Sequence, residues 1–145
     1  MKLSNKSEYA ILAMVALAKR YHSNECLHIR EIAALQKIPN RYLEQLLATL
    51  RSGGLIKSIR GSKGGYVLAR DPKKITVLDV LKCIEGVDAA VPTMDSTCHT
   101  VEAEAIQEVW IEANQAAYQV LQKYSLQELR DRQASRQQIE NMYYI

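Results

Sequence analysis

The sequence contains no Phe, a single Trp and no long apolar run. Without Phe, a folded core must draw on Leu, Ile and Val and on the eight Tyr. No segment approaches the roughly 20 consecutive apolar residues that a transmembrane helix needs. The opening residues also lack the apolar stretch and cleavage site of a secretory signal. We therefore expect a cytoplasmic protein with no membrane association.

Cysteine is scarce, and the arrangements typical of enzymes are missing. Cys26, Cys83 and Cys98 are widely spaced and odd in number, which argues against a disulfide framework and suits a reducing compartment. We find no Ser/His/Asp arrangement, no phosphate-binding glycine motif after a strand and no metal-ligand pair at helical spacing. The sequence therefore predicts that the protein is not an enzyme.

Charge is unevenly distributed along the 145 residues. Residues 1–74 hold 14 Lys/Arg and 5 Asp/Glu, a net charge of +9, whereas residues 75–145 hold 5 and 11, a net charge of −6. A basic half joined to an acidic half indicates that one end meets a polyanion such as nucleic acid. A solvated basic face with no ligand is the alternative.

Apolar spacing predicts three helices in the basic half, over about residues 3–21, 29–35 and 40–51. Ser4 caps the first, with Ser7 as a competing start, and Pro39 fits the first turn of the third. In the third helix we expect a buried stripe of Tyr42, Leu43, Leu46, Leu47 and Leu50.

Two short β-prone runs flank the Gly-rich loop 61–65 and predict a hairpin. Helix, helix, turn, helix and hairpin is the order of a winged helix-turn-helix. The predicted fold class is thus mainly α with a small β-hairpin wing. We expect residues 1–74 to form this DNA-binding domain.

In the acidic half, residues 75–145, the pattern predicts a helical linker, a regulatory loop and a dimerisation region. Thr76 caps a helix over about 77–85, and residues 86–100 have no clean period and form a long loop. A long helix follows over 101–123, and the capping box that begins at Ser125 opens another. The apolar tail 139–145 is ambiguous.

The third helix and the wing carry the candidate DNA-binding residues. Outward residues early in a recognition helix reach base edges, and Gln pairs with adenine, Arg with guanine and Glu with cytosine. The hairpin tip places cations on a loop with little side-chain bulk, suited to phosphates and to the minor groove. The candidates are Asn40, Arg41, Glu44 and Gln45 on the helix, and Arg60, Ser62 and Lys63 on the wing. A winged-helix protein-interaction module without DNA binding is the alternative.

The residues that carry a family resemblance are Tyr42-Leu-Glu-Gln-Leu46, Leu50-Arg51, Gly54-Leu55 and Ser58-Ile-Arg-Gly-Ser-Lys-Gly-Gly-Tyr66. Together with the opening Lys2-Leu-Ser-Asn-Lys6, they closely resemble the IscR/NsrR/CymR family of bacterial winged-helix regulators. The resemblance spans about residues 1–130 and implies a homodimeric transcription regulator, expected to be a repressor, on a pseudo-palindromic operator.

The same resemblance implies roles for individual residues. Arg41, Glu44 and Gln45 match the family's major-groove readers, and Arg60 matches its minor-groove arginine. Pro39 and Arg41 stand where small hydroxyl residues are common in the iron–sulfur members, so the base preference is expected to differ.

The long helix gives independent support for a dimer. Its apolar stripe needs a partner larger than the rest of this chain offers, and Ala113, Ala116 and Ala117 allow close helix approach. Operator symmetry commonly mirrors protein symmetry. The alternative is that the helix folds back on its own winged domain.

Many family members hold an iron–sulfur cluster in the loop before the long helix, on three closely spaced Cys with a His or carboxylate. Here that loop has only Cys98, followed by His99, and Glu8 stands where some relatives use a carboxylate of the partner subunit. Because iron in these clusters needs thiolate ligands, we favour no cofactor. A cluster on Glu8, Cys98 and His99 remains the alternative.

Other modes of regulation stay open. Cys98 is a candidate redox sensor if its thiolate is accessible, whereas Cys83 is expected to be a small core residue. As in cluster-free members, a regulatory partner protein could bind the acidic half. The ending Asn141-Met-Tyr-Tyr-Ile145 resembles the tail of that cluster-free, CymR-like branch.

Overall fold

The computed structural model describes residues 3–86 and 100–143. These form six α-helices, a two-stranded antiparallel sheet and two short 3-10 turns, Tyr21–Ser23 and Pro72–Lys74. The predicted fold class is confirmed. In chain order the elements are α1 Asn5–Lys19, α2 Ile29–Gln36, α3 Asn40–Ser52, β1 Ile56–Ile59, β2 Gly65–Leu68, α4 Val77–Glu85, α5 Val101–Lys123 and α6 Leu126–Tyr143.

Side-chain caps fix where the helices begin. The Ser4 hydroxyl accepts a hydrogen bond from the Ser7 amide at 3.1 Å, so α1 begins at Asn5 and Ser4, not Ser7, is its cap. Thr76 forms a capping box with Asp79 at the start of α4. Pro39 differs from its predicted place. Its extended ψ of 129° makes it the residue that precedes α3 and not part of the first turn.

Two features of the helices were not predicted from the sequence. His28 caps α2, because its Nδ1 accepts from the Arg30 amide while the Glu31 carboxylate accepts from the His28 amide, both at 3.3 Å. His is not among the usual N-cap residues. At the other end of the chain, α6 continues to Tyr143 and takes in most of the ambiguous tail.

The core is aliphatic. Buried side chains of α1, such as Ala13 and Met14, pack with buried leucines of α3. The expectation that Tyr would help to supply the core is wrong for the described residues. Tyr9, Tyr21 and Tyr66 are half-buried and pack against its margin.

Helices of both halves share this core. Ile75, Val80, Ile84 and Leu126 are buried in the same cluster as α1 and α3. Cys83 was expected inside it but is half-buried at its edge, where its Sγ lies 3.5 Å from the Thr49 carbonyl oxygen. The division at residue 74 therefore separates elements that share one core, and it stays a prediction.

The long helix α5 differs from the others, because none of its residues is buried. It packs against α4. None of the helices described here is long and apolar enough to cross a membrane. Of the expected loop 86–100, residues 87–99 lie outside the described residues.

Backbone hydrogen bonds join the wing to Leu27, in the segment before α2. Ile56 pairs with Leu68 and Ile59 with Gly65, and the Leu27 and Tyr66 amides donate to each other's carbonyls at 3.0 and 2.8 Å. A Cβ on Gly65 would lie 2.5 Å from the Leu27 carbonyl oxygen. Only glycine at position 65 therefore lets the wing lie this close to the residues before α2.

We expect Gly65→Ala to lower the free energy of unfolding by about 1–3 kcal/mol, because backbone atoms must shift to admit the methyl group. Denaturant unfolding measures this change. Ser58→Ala, on the exposed part of β1, is the matched control and should stay within about 0.5 kcal/mol of the parent. Equal stability of Gly65→Ala and the parent would contradict the close backbone contact.

Candidate nucleic-acid interface

One side of α3 is buried and the opposite side is exposed and polar. Four exposed polar residues of the first two turns lie on one stripe, because helical spacing places them on the same face. They sit at the end of the helix that enters a major groove in other helix-turn-helix proteins. We call Asn40, Arg41, Glu44 and Gln45 the reading stripe, and all four are exposed, whereas Leu43, Leu46, Leu47 and Leu50 are buried.

Tyr42 was expected in the buried stripe, but its side chain is 49% exposed. The Arg41 guanidinium lies 5.3 Å from the centre of its ring, a cation–π distance. The Tyr9 ring of α1 lies 6.4 Å away on centroids. Tyr42 therefore belongs to the surface beside the reading stripe, where it limits the freedom of Arg41.

The wing tip presents Arg60, Ser62 and Lys63 as exposed side chains. Gly61, with φ of +116°, and a 3.0 Å hydrogen bond from the Gly64 amide to the Gly61 carbonyl form the tight turn. The hairpin from residue 56 to 68 contains no acidic residue. A loop of this kind lets the backbone of a polyanion approach two cations closely.

The structure also brings together basic residues that the sequence patterns did not single out. Arg51 at the end of α3 and Lys57 on β1 line, with Arg60, a groove of about 560 Å³ between the recognition helix and the wing. Lys57 is exposed next to buried Ile56 on β1, and its charge within the predicted hairpin is the signal that could have identified it.

The cations of this surface are available to a ligand. Ion pairs among the described residues are Arg20–Glu25, Arg70–Asp79 and Arg130–Asp131. None involves the reading stripe or the wing tip. Because these side chains are exposed, they would exchange water and counterions for phosphate oxygens, which is the main source of affinity for DNA.

Two serines join the start of α1 to the end of α4. Both the Ser4 and Ser7 hydroxyls donate to Oε1 of Glu85, the latter at 2.8 Å. These hydrogen bonds stabilise the carboxylate and, with the nearby charge of Lys6, lower the pKa of Glu85 from its ordinary value. The contact holds the end of α4, the helix before residues 87–99, against the start of α1.

Of the three residues proposed as cluster ligands, the structure describes only Glu8. Glu8 is exposed in the first turn of α1, while Cys98 and His99 lie outside the described residues. Within residues 3–86 and 100–143, no three His, Cys, Asp or Glu side chains are placed to hold a metal ion. Burial also raises the pKa of the Cys83 thiol, which disfavours its thiolate. This donor set does not fit a cluster held by three thiolates.

Comparison with known proteins decides the family. A sequence profile described as Rrf2, iron-dependent transcriptional regulator, matches residues 3–132. The chain belongs to the Rrf2 family. It is a transcription regulator and not an enzyme, and the resemblance to the IscR/NsrR/CymR regulators is confirmed.

Individual Rrf2 relatives are similar over nearly the whole chain. The HTH-type transcriptional regulator CymR of Bacillus subtilis is 37% identical over 129 residues, 89% of each protein. The solved structure of CymR (YrzC), the global cysteine regulator of B. subtilis, has a TM-score of 0.79 at 34% identity and covers 90% of this chain and 97% of that one. The structure of T. potens IscR has a TM-score of 0.73 at 32% identity, with coverages of 89% and 85%.

The Glu85 contact predicts a pH dependence of stability. Because its pKa is lowered in the folded protein, Glu85 contributes stability above its ordinary pKa of 4.5 and loses it as pH falls through the folded value. The parent should be more stable than Glu85→Gln near about pH 7, and the difference should shrink towards about pH 3. Unfolding measured across this range, with Glu140→Gln on exposed α6 as control, tests this. A difference that does not change with pH would contradict it.

Proposed function

We propose that this Rrf2 regulator represses transcription as a homodimer, by placing the α3 helices of its two subunits in successive major grooves of a pseudo-palindromic operator. The observation that carries the proposal is an exposed polar reading stripe on α3 together with a wing whose loop holds two cations and no acid. Both lie on one winged helix-turn-helix. Because the proposed operator DNA lies in the cytoplasm, the protein is expected to act there.

The reading stripe supplies base recognition. Arg41 suits the paired acceptors of guanine, Gln45 the donor and acceptor of adenine, and Glu44 the amino group of cytosine. Asn40 is in the first turn, where it can meet either a base edge or a phosphate. Stacking of Arg41 near Tyr42 reduces the entropy that this long side chain loses on binding.

The wing contributes affinity for DNA and fixes the position of the protein along the duplex. Arg60 would enter the minor groove, whose narrow A·T-rich tracts attract arginine, while Ser62 and Lys63 would bind phosphates. The groove lined by Arg51 and Lys57 extends this positive surface towards α3. A DNA backbone that lies between the end of α3 and the wing would therefore meet Arg51, Lys57 and Arg60.

Dimerisation through α5 is supported by the apolar residues that this helix exposes. In the described structure α5 packs against α4, but its own chain buries none of its residues. Exposed Ala113 and Ala116 present little bulk to an approaching helix. Three large exposed side chains share the helix face of these alanines: Val109 at 65%, and Ile106 and Val120 at 54–55%. An unpaired surface of this kind marks a protein interface.

For control of binding, we favour a regulator without a resident cluster. The loop before α5 offers one thiol, Cys98, as a redox sensor, and the acidic half offers a surface for a regulatory partner protein. Iron bound by Glu8, Cys98 and His99 is the competing arrangement. Iron and sulfide analysis after anaerobic purification separates the two, because stoichiometric iron would support the cluster.

Replacement of the wing cations tests the DNA function. Arg60→Gln and Lys63→Gln should each weaken binding to duplex DNA and reduce the slope of log affinity against log salt by about one. Titration by fluorescence anisotropy at several salt concentrations gives both quantities. Arg136→Gln removes an exposed cation of α6 and is the matched control. If the wing variants bind DNA as the control does, the protein-interaction module becomes the better explanation.

Replacement of the apolar face of α5 tests the dimer. Val109→Glu should convert the dimer to a monomer, because it would bury an unpaired charge at the interface. It should weaken binding to a two-half-site operator by at least about tenfold. Glu104→Gln, an exposed change on the same helix, is the control. Analytical ultracentrifugation gives the mass, and a dimeric Val109→Glu would show that another surface holds the subunits.

A further inference from the structure

A cleft between the first turn of α1 and the recognition helix lies beside the reading stripe. It has a volume of about 390 Å³, within the range of small-molecule sites. Its lining is Asn5, Lys6, Tyr9, Tyr42, Gln45 and Leu46, and we call it the aromatic cleft. Gln45 belongs both to this lining and to the reading stripe, so an occupant would touch a DNA-reading side chain.

Two tyrosines form the walls of the aromatic cleft. The Tyr9 and Tyr42 rings are 6.4 Å apart on centroids and tilted by 39°, so they form a wedge and not a closed stack. Leu46, which is buried, closes the apolar floor. A flat apolar group placed against these rings gains both burial and stacking energy. The walls therefore favour a planar, aromatic ligand.

The rim of the cleft is polar, with Lys6 as its single charged residue. Amide groups of Asn5 and Gln45 add hydrogen-bond donors, and the Arg41 guanidinium near Tyr42 adds a second positive charge beside the cleft. Glu85, the acid whose charge interacts with Lys6, is already held by Ser4 and Ser7. The rim thus complements an anionic group.

We propose that the aromatic cleft binds a small aromatic carboxylate, which acts as an effector by competing with DNA for Gln45. The ligand ring lies against the tilted Tyr9–Tyr42 pair and over Leu46, and its carboxylate accepts hydrogen bonds from Lys6 and the neighbouring amides. The competition rests on the proposed DNA function, whereas the binding of the carboxylate does not.

Calorimetry on the full chain without DNA tests the binding, with benzoate as the probe. Benzamide lacks the charge and cyclohexanecarboxylate lacks the flat ring, and each should bind at least about fivefold more weakly than benzoate. Lys6→Gln should weaken benzoate binding about tenfold by removing a charged hydrogen bond. Tyr9→Leu should weaken it about threefold to tenfold, while Tyr9→Phe, which keeps the ring and the packing, should not.

Anisotropy of labelled operator DNA tests the competition. Benzoate should weaken DNA binding by the parent, and Tyr9→Leu should need about threefold to tenfold more benzoate for the same effect. The proposal is overturned if benzoate does not bind, if the two control compounds bind equally well, or if the variants leave benzoate affinity unchanged. Binding without any effect on DNA affinity overturns the effector role. Loss of DNA binding in Lys6→Gln, with no benzoate binding by the parent, would assign the cleft to the DNA interface instead.

Discussion

The packing of α3 against α1 is the contact on which the rest of the structure depends. Ala10 and Ala13 of α1 are fully buried, and their small side chains let the leucines of α3 approach closely. Leu43, Leu47 and Leu50 are also fully buried. This one-sided burial fixes the rotation of α3 about its axis, and that rotation decides which residues face DNA.

The absence of Phe has a structural consequence in this core. Aliphatic side chains and alanines fill it, while the tyrosines among the described residues lie at the margin and on the surface. Two of them, Tyr9 and Tyr42, meet between α1 and α3. The recognition helix is therefore bordered by aromatic rings as well as cations, and the same surface offers chemistry for DNA and for a small ligand.

Most of the fold could be predicted from the sequence because its signals are local. Helical periodicity, the Thr76 cap and the glycines around the wing each depend on neighbouring residues, and the structure confirms them. Tyr42 was misplaced because its position has the spacing of the buried stripe, and only the tertiary contacts with Tyr9 and Arg41 show that it is at the edge.

Other features of the site depend on residues far apart in the chain. The contact of Ser4 and Ser7 with Glu85 joins positions about 80 residues apart, and no local pattern reports it. The groove that joins Arg51 and Lys57 likewise needs the angle between α3 and the hairpin. In contrast, the stripe of Arg41, Glu44 and Gln45 follows from helical spacing alone.

The most direct test of the account is a selection of binding sequences from a random pool of duplex DNA, carried out with the parent and with Glu44→Ala. The account predicts a pseudo-palindromic site for the parent. For the variant it predicts the same site with relaxed preference at one symmetric pair of positions, by about 1–3 kcal/mol of discrimination. Selection of no symmetric sequence by the parent, or an identical preference in both proteins, would contradict base reading by the exposed stripe of α3.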